Sequence, residues 1–149
     1  MLPKSSQRVA MVIKLANQIA REYEQEYVGT EHMLLAILTE GTGIGSTLLA
    51  GRSVTGDNLR EQIAGLIRKQ MEETWVFGRL PGTPHFKNVM ASAIQECQDE
   101  AAKEVCTEHI LLALAKEQGC VAQQALKGLG ITYDDIRKDL SAIRARTDG

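Results

Sequence analysis

The sequence predicts an all-α fold, eight helices arranged as two four-helix repeats related by an approximate twofold axis. Three observations carry this. Thr-Glu-His opens an apolar run twice, as TEHMLLAIL from Thr30 and TEHILLALA from Thr107. A shift of 77 residues pairs positions 6–67 with 83–144 without a gap, and 16 of those 62 pairs are identical, where unrelated segments of ordinary composition share about four. Apolar residues recur at helical spacing through both repeats, and no strand-like alternation of useful length appears outside the connection between them.

Each element has its own justification. From Ser6 to about Gln25, Val9, Val12, Ile13, Ala16, Ile19 and Ala20 fall on one face of a long amphipathic helix, with Ser5 or Ser6 as its cap. Its counterpart begins at Thr83-Pro84, a capping Thr and then Pro at the first helical position, and runs through Phe86, Val89, Met90, Ala93 and Cys97. Thr30 is expected to cap a short helix ending near Gly41, and Ile44 to Ala50 forms another before Gly51. Thr107 to Glu117 and Val121 to Lys127 repeat that pair. Thr55 and Thr132 precede the last helices, marked by Leu59, Ile63 and Leu66 and by Ile136, Leu140 and Ile143.

The boundaries follow: repeat one at 6–67, a linker at 68–82 and repeat two at 83–146, within a single domain spanning 1–149. Each repeat presents an apolar face too large to leave in water, and the other repeat is its natural cover. Neither is expected to be stable alone. The linker RKQMEETWVFGRLPG continues the fourth helix and ends in turn chemistry at Leu80-Pro81-Gly82. Trp75 and Phe77 are expected to pack against the groove between repeats, the alternative being a partner-binding patch.

Composition narrows the function. Lys plus Arg number 17 against 19 Asp plus Glu, a net charge of -2 with no basic block, which disfavours nucleic acid as a partner. Apolar runs such as Met33 to Leu38 are far shorter than the ~20 residues that span a bilayer, and the first residues lack the pattern of a signal peptide. A cytoplasmic location with no membrane partner is expected. Cys97, Cys106 and Cys120 form no Cys-x-x-Cys pair and read as small buried thiols.

The doubled pattern, YVGTEHMLLAIL at Tyr27 to Leu38 and VCTEHILLALA at Val105 to Ala115, resembles the Clp N-terminal repeat domain of the Hsp100/Clp unfoldases, the family of ClpA, ClpB and ClpC. The opening amphipathic helix, Glu40-Gly41 and Glu117-Gln118, and the Leu-Gly-Ile turn at Leu129 to Ile131 agree with it, and the resemblance covers about residues 5–146. It implies a non-enzymatic docking module without cofactor. Its partners would be protein substrates, adaptor proteins and a Clp ATPase ring in cis or in trans, in regulated proteolysis. Either an excised domain of a larger AAA+ unfoldase or a free-standing modulator fits.

No ATPase motif is present. The nearest Gly-rich stretch, Gly41 to Ser46, lacks the Lys of a P-loop and aligns with Gln118 to Gln123, so it reads as a helix-helix turn. The chain departs from the family pattern at Ser5-Ser6, where Phe-Thr is usual, at Cys106 in place of Gly, at Phe86 in place of a small residue, and in a linker without Gly/Ser-rich wording.

By the same resemblance, to the ClpC branch, two symmetric phosphoarginine sites would pair Ser6 with Glu31 and Thr83 with Glu108. The acidic residue would meet the guanidinium and the helix start the phosphate. A purely structural role for each Glu is a dipole-complementing first turn, worth ~0.3 to 1 kcal/mol. His32 and His109 are expected to pack or cap locally. Cys106 and His109 have Cys-x-x-His spacing, but Gly29 at the matching position of the first repeat breaks any repeated zinc ligand set, so no metal is expected. No catalytic residue is assigned, because no nucleophile is spaced to join the Glu-His pairs. The rival readings are a small metal-binding or enzymatic protein using those pairs, and a structural helical assembly unit.

Overall fold

The computed structural model describes residues 4–22, 28–75 and 84–148, and among them lie eight α-helices in the expected order. The first repeat holds α1 (Gln7–Glu22), α2 (Thr30–Glu40), α3 (Ile44–Gly51) and α4 (Gly56–Trp75). The second holds α5 (Pro84–Asp99), α6 (Thr107–Lys116), α7 (Val121–Gly128) and α8 (Tyr133–Asp148). Phe77 and Thr83 lie outside the described residues, as does the side chain of Trp75, whose backbone ends α4.

Three helix starts, those of α1, α4 and α8, are set by side chains where the sequence places them. The Ser6 Oγ accepts from the Val9 N–H at 3.1 Å and caps α1. Thr55 and Asn58 bond reciprocally at the start of α4, at 3.1 and 2.9 Å, and Thr132 and Asp135 do the same for α8, at 3.2 and 3.0 Å. Gly41 closes α2 in the left-handed conformation, at φ 77°.

Thr30 and Thr107 correct the expectation. Neither caps its own helix, because Gly29 and Cys106 hold the N-cap positions and each Thr is the first residue inside. Their hydroxyls cross to the other repeat. Thr107 Oγ1 accepts from the Gly45 N–H at 2.9 Å in the first turn of α3, and Thr30 Oγ1 accepts from the Ala122 N–H at 3.3 Å in the first turn of α7. The close approach needs Gly43, where a Cβ would lie 2.4 Å from Thr107 Oγ1. At the matching position of the second repeat stands Cys120, and there the bond is longer.

These exchanged caps follow from exchanged packing. α1 lies along α2 and α5 along α6 within their repeats, whereas α3 packs on α6, and α7 on α2 and α4, across the repeats. One apolar cluster results, drawing Val9, Leu34, Ile37 and Leu59 from the first half and Val89, Leu111, Leu114 and Leu126 from the second. Burying one such Leu or Ile side chain contributes about 1.5–3 kcal/mol. Phe86 is half-buried and packs against the same cluster. At the periphery Arg52, after α3, forks onto Asp139 of α8 at 2.7 and 3.0 Å.

A two-stranded parallel pair, β1 (Lys4–Ser5) with β2 (Glu104–Val105), was not anticipated. Two residues are too few to leave a period in the sequence. The pair continues into a bond from the Ser6 N–H to the Val105 carbonyl at 2.9 Å, tying the entrance of α1 to the loop before α6. Among the described residues no single helix is long and apolar enough to cross a membrane. α2 and α3 pass by length and composition only as a pair bent by 92°, and most of their apolar residues belong to the core.

Candidate functional site

The two Thr-Glu-His segments are each the first turn of a central helix, and each residue type there has one task. His reaches back to cap. The His32 Nδ1 accepts from the Gly29 N–H and the His109 Nδ1 from the Cys106 N–H, both at 2.8 Å. An accepting Nδ1 fixes the neutral tautomer with its proton on Nε2. Both rings are essentially fully buried, and burial lowers the His32 pKa to about 4.

Glu is where the repeats diverge. Glu31 is 7% exposed, its carboxylate laid back against the Gly29 α-carbon, where a Cβ would stand 2.4 Å from Oε1. Its nearest described charge partner is the neutral His32, at 3.7 Å. Burial raises its pKa, and a bond from its own backbone N–H offsets this only in part. Cys106 carries a side chain where Gly29 has none, and Glu108, 2% exposed, is instead held by Arg144 of α8. The Arg144 Nη2 donates to Glu108 Oε2 at 2.7 Å and to Glu100 Oε1 at 2.6 Å.

His109 completes this cluster, its Nε2 donating to Glu100 Oε1 at 3.1 Å. Burial pushes the Glu100 carboxyl up, but the bonds from Arg144 and His109 outweigh it and hold the group below the usual carboxylate range. The cluster lines a recess of ≈ 570 Å³ with Ile44, Lys103, Glu104 and Cys106.

Metal and nucleophile chemistry fit the site poorly. The ligand atoms of Glu100, Glu108 and His109 lie within 4.8 Å of one another, but the Arg144 guanidinium already bridges both carboxylates and His109 Nε2 carries a proton. A cation would have to displace one charge and the proton together. Burial raises all three thiols, Cys106 to about 11, so none is a ready thiolate.

Of the expected pairs, Ser6 and Glu31 are not brought together, and the pairing of Thr83 with Glu108 lies outside the described residues. Arg8 donates to Thr42 at 3.1 Å, so the start of α1 lies at the far end of α2, an 11-residue helix about 16 Å long. Ser6 is therefore remote from Glu31. Its bond to Val105 sets it beside the start of α6, three residues before Glu108. The grouping runs across the repeats because β1 pairs with β2. The second repeat has the same internal arrangement, with His85 and Asn88 of α5 both 2.8 Å from Glu117 after α6. Thr83, the proposed companion of Glu108, lies outside the described residues. Arg144 was missed altogether, although one signal existed: it stands where repeat one has Ile67.

Comparison with known proteins bears on the fold and the family. A family model described as the Clp repeat (R) N-terminal domain matches residues 4–129 and 83–148. An ATP-dependent Clp protease ATP-binding subunit ClpA homolog of Cyanidium caldarium is 33% identical over 140 residues, 94% of this chain and 16% of that protein. The chloroplastic chaperone protein ClpC1 of Oryza sativa subsp. japonica is 30% identical over 137 residues, 92% of this chain and 15% of that protein. The chain thus spans about one-sixth of the length of these curated relatives. Among solved structures, the N-terminal domain of ClpD from Arabidopsis thaliana superposes with a TM-score of 0.68 at 20% identity, covering 92% of this chain and 97% of that one. The Hsp104 N-terminal domain from Candida albicans gives 0.68 at 16% identity, covering 95% and 91%. With its doubled four-helix repeat and a family match along nearly its whole length, this chain belongs to the Clp repeat N-terminal domain family.

Proposed function

We propose that this domain captures protein substrates or adaptor proteins for a Clp-type ATPase ring, in cis or in trans, by gripping guanidinium groups, with phosphoarginine-marked proteins as the substrate class. The observation that carries this is the behaviour of one carboxylate in two copies. Glu108 binds a guanidinium, that of Arg144, at 2.7 Å. Glu31, at the same helical position, is a buried carboxylate that no lysine or arginine faces among the described residues. An ionised carboxylate out of water without a cation costs stability, and such a group in a fold is a candidate ligand contact. A guanidinium is the complement that both geometries accept.

The phosphoryl group would be met at the opening of α1 or α5, where free amides and the helix dipole favour an anion. Ser6 lies at the α1 opening on the Glu108 side.

Calorimetric titration with free phosphoarginine tests the reading. Wild type is expected to bind, and Glu31→Gln to weaken binding at least about tenfold, the loss of roughly one charge-assisted hydrogen bond. No heat at millimolar ligand would sink the proposal. Binding unchanged in Glu31→Gln would move the site elsewhere.

A further inference from the structure

The two Glu positions differ in one respect that duplication does not explain. Repeat two carries Arg144 where repeat one carries Ile67, and its side chain spans from α8 to the turn after α5 and to α6, bonding Glu100 and Glu108 together. Glu100 has no acidic counterpart, since residue 23 is Tyr. At these two aligned positions, repeat two thus carries an arginine and a second carboxylate where repeat one carries Ile67 and Tyr23. The guanidinium is about one-third exposed on the wall of the recess, while the Glu108 carboxylate beneath it is 3% exposed. Arg144 covers Glu108 from the solvent side.

The same contact is chemically a ligand complex. A guanidinium on a buried carboxylate, with a second carboxylate closing the pair, is what an arginine from a partner protein would form there. Resting on the docking function proposed above, we infer that Arg144 is a tethered guanidinium that occupies the Glu108 site, making the two related sites unequal. Glu31 is without a lysine or arginine partner among the described residues, while Glu108 must shed its own arginine before it accepts one from outside. The domain therefore takes one guanidinium ligand where its symmetry offers two places. Freeing the end of α8 converts it to two.

Phosphoarginine titration followed by calorimetry decides this, with wild type, Arg144→Met, and Arg144→Met combined with Glu108→Gln. Wild type is expected to bind one ligand per chain. Arg144→Met is expected to bind two, the second at least about tenfold tighter than any second-site binding in wild type, and the double variant to return to one. Arg144→Lys keeps a cation near Glu108 without the planar fork. If the Met variant fails to fold, Arg144→Lys carries the comparison, with a second site of intermediate affinity. Two equal sites in wild type, or one site in every variant, would overturn the tethered ligand and leave the docking function standing. No binding by any of these proteins overturns the docking function and the tethered ligand with it.

Discussion

The first turns of α2 and α6 share the sequence Thr-Glu-His and the same capping geometry, yet they treat the same carboxylate in opposite ways. In α2, Gly29 leaves room for Glu31 to fold back into a site with no described basic partner. In α6, Cys106 fills that room and Arg144 captures Glu108. The lesson is that a duplicated motif copies its backbone and caps, while the residues around it decide whether its charge is spent inside the fold or kept available. The contrast extends beyond this turn. Repeat two also buries Glu96, which meets the Tyr133 hydroxyl at 2.6 Å and Arg137 at 3.5 Å, where repeat one has Ile19.

The largest test asks whether the halves can be compared at all, since helices and caps are exchanged between them. Fragments 1–75 and 84–149, expressed separately, are expected to show no cooperative thermal transition, and mixing them to restore one. A cooperative transition in either fragment alone would mean that the exchanged contacts are dispensable.

Acid should act on the first repeat through His32. Its imidazole has a folded pKa of about 4 against 6.5 unfolded, so as pH falls below 6.5 the unfolded chain takes up a proton that the folded one refuses. Stability is then expected to drop by about 3 kcal/mol between pH 6.5 and 4. Glu31 works in the opposite sense. Its raised pKa gives stability that is complete below the ordinary carboxylate pKa and lost as pH rises through the folded value. Urea unfolding in a Glu31→Gln background isolates the histidine, and a flat acid limb there would contradict its assignment.

Neutralising the two carboxylates should then separate the repeats in sign. Glu108→Gln removes a charged partner from a half-buried Arg144 and is expected to cost about 1–2 kcal/mol. Glu31→Gln removes a buried charge without a described cation and is expected to leave stability unchanged or raise it by up to about 1 kcal/mol. Equal losses in both would erase the contrast.

The smallest effect concerns the exchanged caps. Thr107→Val and Thr30→Val should each destabilise by about 1 kcal/mol. Thr107 is expected to cost the more, because its bond is 2.9 Å against 3.3 Å for Thr30. The reverse order in urea midpoints would show that Gly43 confers no advantage over Cys120.

Much of this molecule was legible in the chain. The 77-residue repeat, the periodic apolar positions and the turn signals at Gly41, Thr55 and Thr132 gave the eight helices, because these features depend on spacing within a helix and on local capping. The same locality misled at Thr30 and Thr107. A Thr before an apolar run reads as a cap for that run, and nothing local reveals that its hydroxyl meets an amide 92 or 62 residues away. The expected pairing of Ser6 with Glu31 failed for a related reason, since β1 and β2, which tie Ser6 to the loop before Glu108, are too short to show in the sequence.

The sequence by itself determined the helices, their duplication and the family, all written in short-range periodicity and self-similarity. Tertiary structure alone decided which repeat caps which, that Ser6 lies on the Glu108 side, and that Arg144 reaches from α8 to α6 to claim one of two identical glutamates. Those outcomes rest on distances between residues far apart in the chain, which short-range periodicity does not encode.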